Sequence, residues 1–187
     1  MTREEAIDVL VEQRLAAMGP TERATMLAGW WGIDEDDPEY GALPDELKAE
    51  LARGDEPGDA MAPHCAPLLR IALRHAFVGV VNAYLEQRLA ALGRPATVDG
   101  AVEVLAACPC CRFRTLDERG AYDICQVCFW QDTGSDDPDI HSGPNHMTLR
   151  EARDNFARLG AVTERERAFV LPDGKERYAR ADEPGAP

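Results

Sequence analysis

Long apolar runs are missing from this 187-residue chain. Its most apolar stretch, Phe77 to Tyr84, is bordered by Arg74 and His75 and falls short of the roughly 20 apolar residues a bilayer-spanning helix needs. No membrane partner is expected. Basic residues are scarce: 20 Lys and Arg stand against 34 Asp and Glu, for a net charge of −14. A polyanion requires a basic footprint on its binder, and this surface would repel one on average, so nucleic acid is an unlikely partner. The local motifs of catalysis are missing too. There is no nucleophile elbow, phosphate loop, metalloprotease helix or supported pair of catalytic carboxylates, and the chain reads as a non-enzyme. It opens Met1-Thr-Arg-Glu-Glu5, which leads into an amphipathic helix pattern rather than a signal sequence. A cytoplasmic location is the expectation.

What is present is a set of cysteines. Four of the six form two C-x-x-C pairs, Cys108/Cys111 and Cys125/Cys128, separated by 13 residues. The spacing is that of four-thiolate zinc sites, with a gap slightly shorter than the usual 15–20 or so. Each C-x-x-C turn supplies one edge of a tetrahedron, with zinc–sulfur bonds of about 2.3 Å. Two competing readings exist. A disulfide framework belongs to an oxidising compartment, and a thioredoxin-like redox pair requires one C-x-x-C opening a helix within a βαβ unit. Neither pattern is seen, so the expected ligands of one structural zinc are Cys108, Cys111, Cys125 and Cys128. Cys110, inside the first pair, reads as a small side chain pointing elsewhere. Between the pairs, Arg112 to Leu116, the turn Asp117-Glu-Arg-Gly120 and Ala121 to Ile124 read as a hairpin, with Gly120 suited to the left-handed turn position. Two knuckles joined by a hairpin predict a zinc ribbon.

Cys108-Pro-Cys-Cys111, Thr115-Leu-Asp-Glu-Arg-Gly120, Asp123-Ile-Cys-Gln-Val-Cys-Phe-Trp130, Asp137-Pro-Asp139 and Leu149-Arg-Glu-Ala-Arg-Asp-Asn-Phe156 together resemble the bacterial cysteine-rich CPCC domain family over about residues 106–160. The resemblance implies a zinc-ribbon-like domain and no particular activity. One position departs from it: Arg112 stands where the family usually has a glycine after the first knuckle.

The remainder reads as helices. Thr2-Arg-Glu-Glu5 is a capping box, followed by Ile7, Leu10, Val11, Leu15 and Met18 at helical spacing, with Gly19-Pro20 as a stop. Thr21 is expected to cap a second helix carrying Met26, Leu27 and Trp30, and Trp30 and Trp31 cannot share one of its faces. Asp34-Glu-Asp-Asp-Pro38 is an acidic loop. Pro44 to Leu51 predicts a short helix. Residues 53–66 read as a polar loop in which His64 and Cys65 are ordinary loop residues for want of partners. Residues 67–92 predict one long helix, apolar almost all round and therefore a buried spine, with His75 at its packed boundary. Val102 to Leu105 reads as a strand entering the first knuckle. Thr148-Leu-Arg-Glu151 is a second capping box, opening a helix that ends near Leu159 at Gly160, with Arg150 and Asp154 as an i, i+4 pair. The 163–187 segment is mostly charged, with Phe169-Val-Leu171 as its apolar anchor and 183–187 as a frayed end.

The fold class that follows is α+β: a helical N-terminal domain, residues 1–97, joined to a small zinc-ribbon-like β-hairpin domain with a helix and tail, residues 98–187. Asp132, Asp136, Asp137 and Asp139, in a segment with His141 and His146, could hold a second ion, but Asp/Gly/Pro clusters are ordinary turn formers; His141 or His146 could replace a cysteine ligand, but two complete knuckles already satisfy one zinc. Charge is uneven: residues 1–62 carry 16 acids and 5 bases. The expected function is a non-catalytic interaction module whose acidic first third contacts a protein partner, a basic one, as an immunity-type inhibitor would. The alternative is a thiol-based redox or metal-sensing protein, motivated by Cys110.

Overall fold

The computed structural model describes residues 1–54 and 58–181; the frayed end expected at 183–187 lies outside them. Among the described residues there are seven α-helices and two small antiparallel hairpins, an α+β protein. The chain divides into two compact units. One comprises residues 1–78 and 85–100, the other residues 79–84 and 101–187. No helix among the described residues is long and apolar enough to cross a membrane.

In the first unit, α1 (Arg3–Ala17) opens on the predicted capping box: the Glu5 amide donates to the Thr2 hydroxyl and the Thr2 amide donates to the Glu5 carboxylate. Its Ala6, Ile7, Leu10, Val11 and Leu15 are buried. Gly19, not Thr21, caps α2 (Pro20–Trp30), because Pro20 takes the first helical position, where a missing N–H costs nothing. α1 and α2 both pack on α4 (Ala66–His75), which buries Leu68, Leu69, Ala72 and Leu73. His75 of α4 is exposed and meets the edge of the Trp30 ring, with centroids 5.2 Å apart. α3 (Asp45–Arg53) follows Pro44 and stops at Gly54 in the left-handed conformation. It packs against a 3₁₀ turn, Pro63–Cys65, that leads directly into α4.

The single helix expected over 67–92 is two helices. α4 ends at His75, and α5 runs from Asn82 to Ala91. Gly79 between them has φ +70°, and a Cβ there would meet the Leu105 side chain at 2.4 Å; left-handed geometry and close packing both require glycine. Val80 then bridges to Tyr178, and the Val81 amide donates to the Arg177 carbonyl. The near-continuous apolar pattern is thus the sum of two short faces and an extended segment that sits in the second unit.

In the second unit, β1 (Ala106–Ala107) pairs with β2 (Arg114–Leu116), so the first hairpin encloses the first knuckle. The hairpin expected between the knuckles is not formed: residues 121–124 instead face residues 131–132, through an isolated bridge from Ile124 to Gln131 and backbone bonds from the Tyr122 amide to the Asp132 carbonyl and from the Asp132 amide to the Asp123 carbonyl, and the Asp123 carboxylate accepts from the Asp117 and Glu118 amides. Residues 102–105 are not a strand. β3 (His141–Ser142) pairs with β4 (Met147–Thr148). α6 (Leu149–Leu159) starts on the second predicted capping box and ends at left-handed Gly160. Arg150 extends its fork to Asp139 at 2.8 and 3.0 Å, rather than to Asp154. The segment after α6 contains a 3₁₀ turn, Glu166–Ala168, and α7 (Gly174–Arg177). Its buried apolar residues are Ala161, Val162 and Tyr178; Phe169 is 63% exposed.

Candidate metal centre

The second unit is built around the four predicted cysteines. All four are buried, and their sulfurs lie within 4.8 Å of one another. Cys108 Sγ is 3.6 Å from Cys128 Sγ, and Cys111 Sγ is 3.5 Å from Cys125 Sγ. A tetrahedron with zinc–sulfur bonds of about 2.3 Å has sulfur–sulfur edges of about 3.8 Å. The quartet therefore fits a tetrahedral cation of that size.

The two knuckles repeat one backbone arrangement. The Arg112 amide donates to the Cys108 carbonyl at 2.9 Å, and the Phe129 amide to the Cys125 carbonyl at 2.8 Å. The Cys108 amide reaches the Phe113 carbonyl and the Cys125 amide the Trp130 carbonyl, both at 2.9 Å. Arg112 and Phe129 each have φ +69°. Each turn thus reverses the chain immediately after its second cysteine and points both sulfurs inward.

The C-terminal segment clamps both turns. Val162 N–H donates to the Cys128 carbonyl and Leu171 N–H to the Gln126 carbonyl; Arg114 N–H donates to the Ala179 carbonyl and Ala181 N–H to the Arg112 carbonyl. A Cβ on Gly174 would meet Val127 Cγ2 at 3.1 Å. From α6, Arg153 Nε donates to the Pro109 carbonyl at 3.0 Å. The charged tail is therefore part of the centre's frame.

Burial pushes the Cys108 and Cys128 thiols well up. Burial acts on Cys125 in the same sense, but the thiols of Cys108, Cys111 and Cys128 and the hydroxyl of Thr115 donate to its sulfur and hold it well below the ordinary thiol range. Thr115 Oγ1 is 3.0 Å from Cys125 Sγ. A donor of this kind stabilises the thiolate a metal requires. Cys110 is buried beside Cys128 and raises its thiol; it is not one of the four converging sulfurs.

The other candidate residues have different occupations. Asp132 is 0% exposed, and its Oδ2 accepts from Arg119 Nε at 2.8 Å and Gly120 N at 2.7 Å. Arg119 also holds Asp136. Asp137 Oδ1 accepts from the Asp139 amide. These bonds fix the loop across the contact where Gly120 and Gly134 meet backbone to backbone, too close for side chains. Neither these carboxylates nor His141 and His146 join a cation-binding cluster among the described residues. Arg114 is committed to the Leu105 carbonyl, and Arg119 to the two aspartates. In the first unit, burial raises the Cys65 thiol, with Glu50, Asp59 and Glu46 adding to it. His64, read from sequence as a residue without partners, faces Glu50.

The fold and the quartet define a helical unit followed by a compact four-cysteine domain. Residues 106–176, within the second unit, match the family described as Cysteine-rich CPCC. The match runs past the expected end at residue 160 and takes in Val162, Leu171 and Gly174 of the segment that clamps the knuckles. No curated protein and no solved structure matches the chain. Thr115 was missed as a partner of the centre because a hydroxyl four residues after a knuckle has no sequence signature. Asp132 was seen only as one of several loop aspartates.

Proposed function

We propose that this chain is a non-catalytic, zinc-stabilised interaction protein of the cytoplasm. The carrying observation is the closed, buried sulfur quartet. Four thiolates complete the tetrahedral shell of zinc and leave no position for substrate or water. Zinc there would be held by Cys108, Cys111, Cys125 and Cys128, and would supply folding free energy to the second unit. The contact surface would be the acidic face of the first unit. Along α1, Glu4 and Asp8 are neutralised by Arg74, and Glu12 by Arg70. No Lys or Arg pairs with exposed Asp34, Glu35, Asp36 or Asp37 among the described residues. Their field is available to a basic protein partner, as in an immunity-type inhibitor.

Two measurements test this reading. Metal analysis of reduced protein should find zinc, and Cys125→Ser should lose the quartet's ion; full metal retention by that variant would refute the ligand set. Pull-down from the native host at low and high salt should capture a basic partner in a salt-sensitive way, and neutralising Asp34, Glu35, Asp36 and Asp37 together should release it. A partner indifferent to both would refute the acidic surface.

A second reading, a thiol-based redox or metal sensor, is favoured by one observation, the position of Cys110 beside Cys128. It requires zinc release and loss of free thiols after mild peroxide treatment. Unchanged zinc and thiol counts would exclude it.

A further inference from the structure

The first unit holds another convergence of metal-binding side chains. Glu46 and Glu50 stand four residues apart on α3, so both carboxylates leave the same face. The 3₁₀ turn Pro63–Cys65 packs against α3 and brings His64 Nε2 to 3.3 Å from Glu50 Oε2. One donor atom from each of the three side chains lies within 4.8 Å of the other two. Side chains next to these donors anchor both elements: Leu47 and Cys65 are fully buried. The donors themselves are accessible to an ion, with the His64 and Glu50 side chains 24% and 25% exposed.

Two features distinguish this cluster from an ordinary acidic surface. The first is composition: an imidazole nitrogen joins the two carboxylates, with His64 Nε2 3.3 Å from Glu50 Oε2, a separation compatible with the about 3.3–3.4 Å between donors that share one tetrahedral cation at bond lengths of about 2.0–2.1 Å. The second is the absence of a competing cation. Carboxylates of α1 in the same unit are matched by Arg70 and Arg74. Among the described residues no Lys or Arg pairs with Glu46 or Glu50; the ion-pair partner of Glu50 is His64.

We propose that Glu46, Glu50 and His64 bind a divalent transition-metal ion of the zinc class, with water completing its shell. An imidazole and two carboxylates are borderline-to-hard donors suited to such ions. Their two negative charges balance the dication. Three protein ligands leave an open position, in contrast to the closed thiolate quartet.

The probe is zinc itself, bound to the full reduced chain and counted by elemental analysis after free metal is removed. Wild type should hold two ions per chain. His64→Ala and Glu50→Gln should each hold one, with helix content unchanged by circular dichroism. Loss of an outer-shell partner alone costs about 10–100-fold in affinity, so loss of a direct ligand should weaken this second ion at least about 100-fold. Cobalt separates the sites. The quartet gives intense sulfur-to-metal charge-transfer absorption, whereas the His64 site gives weak visible bands without it. Those weak bands should persist in Cys125→Ser and vanish in His64→Ala. One ion in the wild type held by the quartet alone, or a second ion indifferent to His64→Ala and Glu50→Gln, would overturn the proposal and leave the thiolate centre untouched.

Discussion

Arg112 and Phe129 occupy the same place in two separate turns, each four residues after a leading cysteine and each at φ +69°. The left-handed region costs a residue with a side chain about 1–2 kcal/mol. Glycine avoids that cost but brings an unfolded chain with about 0.4–1 kcal/mol more entropy to lose. Arg112 is exposed, and its amide and carbonyl bonds to Cys108 and Ala181 are main-chain. Arg112→Gly should therefore stabilise the protein, by at most about 1.6 kcal/mol on those two figures. Denaturant midpoints at fixed zinc would register it. Phe129→Gly relieves the same strain but removes a ring packed 5.6 Å from that of Phe169, so it should give no gain. An equal rise in both variants would show that backbone strain alone decides the position.

Thr115 helps to hold the Cys125 thiol low. Its hydroxyl donates to Cys125 Sγ. Protons compete with metal for thiolate, so a lower thiol value lets the metal persist to lower pH. Thr115→Val keeps the shape and deletes the donor. The pH of half-maximal zinc release should then rise, with affinity at neutral pH falling about 10-fold. Titration against a chromophoric chelator would measure both, and a variant that releases zinc at the wild-type pH would remove Thr115 from the centre.

Local features were legible in the residues. Both capping boxes formed as read, because Thr2 with Glu5 and Thr148 with Glu151 act within one turn. The C-x-x-C spacing announced a sulfur cluster for the same reason: each knuckle is a self-contained turn. What escaped depends on segments far apart along the chain. The break between α4 and α5 exists because Val80 finds Tyr178; Gly79 between two apolar runs was its only local trace. The hairpin was placed on the wrong side of Arg114 because Ala106 and Ala107, with little strand preference of their own, are the partners of β2. His64 looked isolated because Glu46 and Glu50 reach it only once α3 packs on its turn.

Tyr178 should carry the tail's contribution. It is buried, bridges to Val80 and donates to Gln126 Oε1 at 3.2 Å. Truncating a buried aromatic costs about 3–5 kcal/mol. Tyr178→Ala should destabilise the second unit by about that much and accelerate amide exchange at Val81, Arg114 and Ala181, whose N–H groups bond to Arg177, Ala179 and Arg112. Unchanged exchange at those three amides would mean that the tail is held without Tyr178. Phe169→Ala, at a 63% exposed position, should cost far less.

Asp173 ties this tail to pH. Burial raises its carboxyl, but Arg177, through bonds of 2.7 and 3.2 Å, and the Tyr84 hydroxyl, at 2.6 Å, outweigh burial and hold it below the usual carboxylate range. A carboxyl depressed in the folded state binds fewer protons there than in the unfolded state. Its contribution is complete above the unfolded value near 3.9 and is lost as pH falls through the folded one. Asp173→Asn should thus lower the thermal midpoint at neutral pH, and the gap to wild type should close on acidification below about pH 4. Acid releases zinc from both proteins alike, so the quantity to follow is the difference between variant and wild type at each pH. A gap that stayed constant from pH 7 to pH 3 or so would mean that Asp173 acts as a neutral hydrogen-bond acceptor and that its charge contributes nothing.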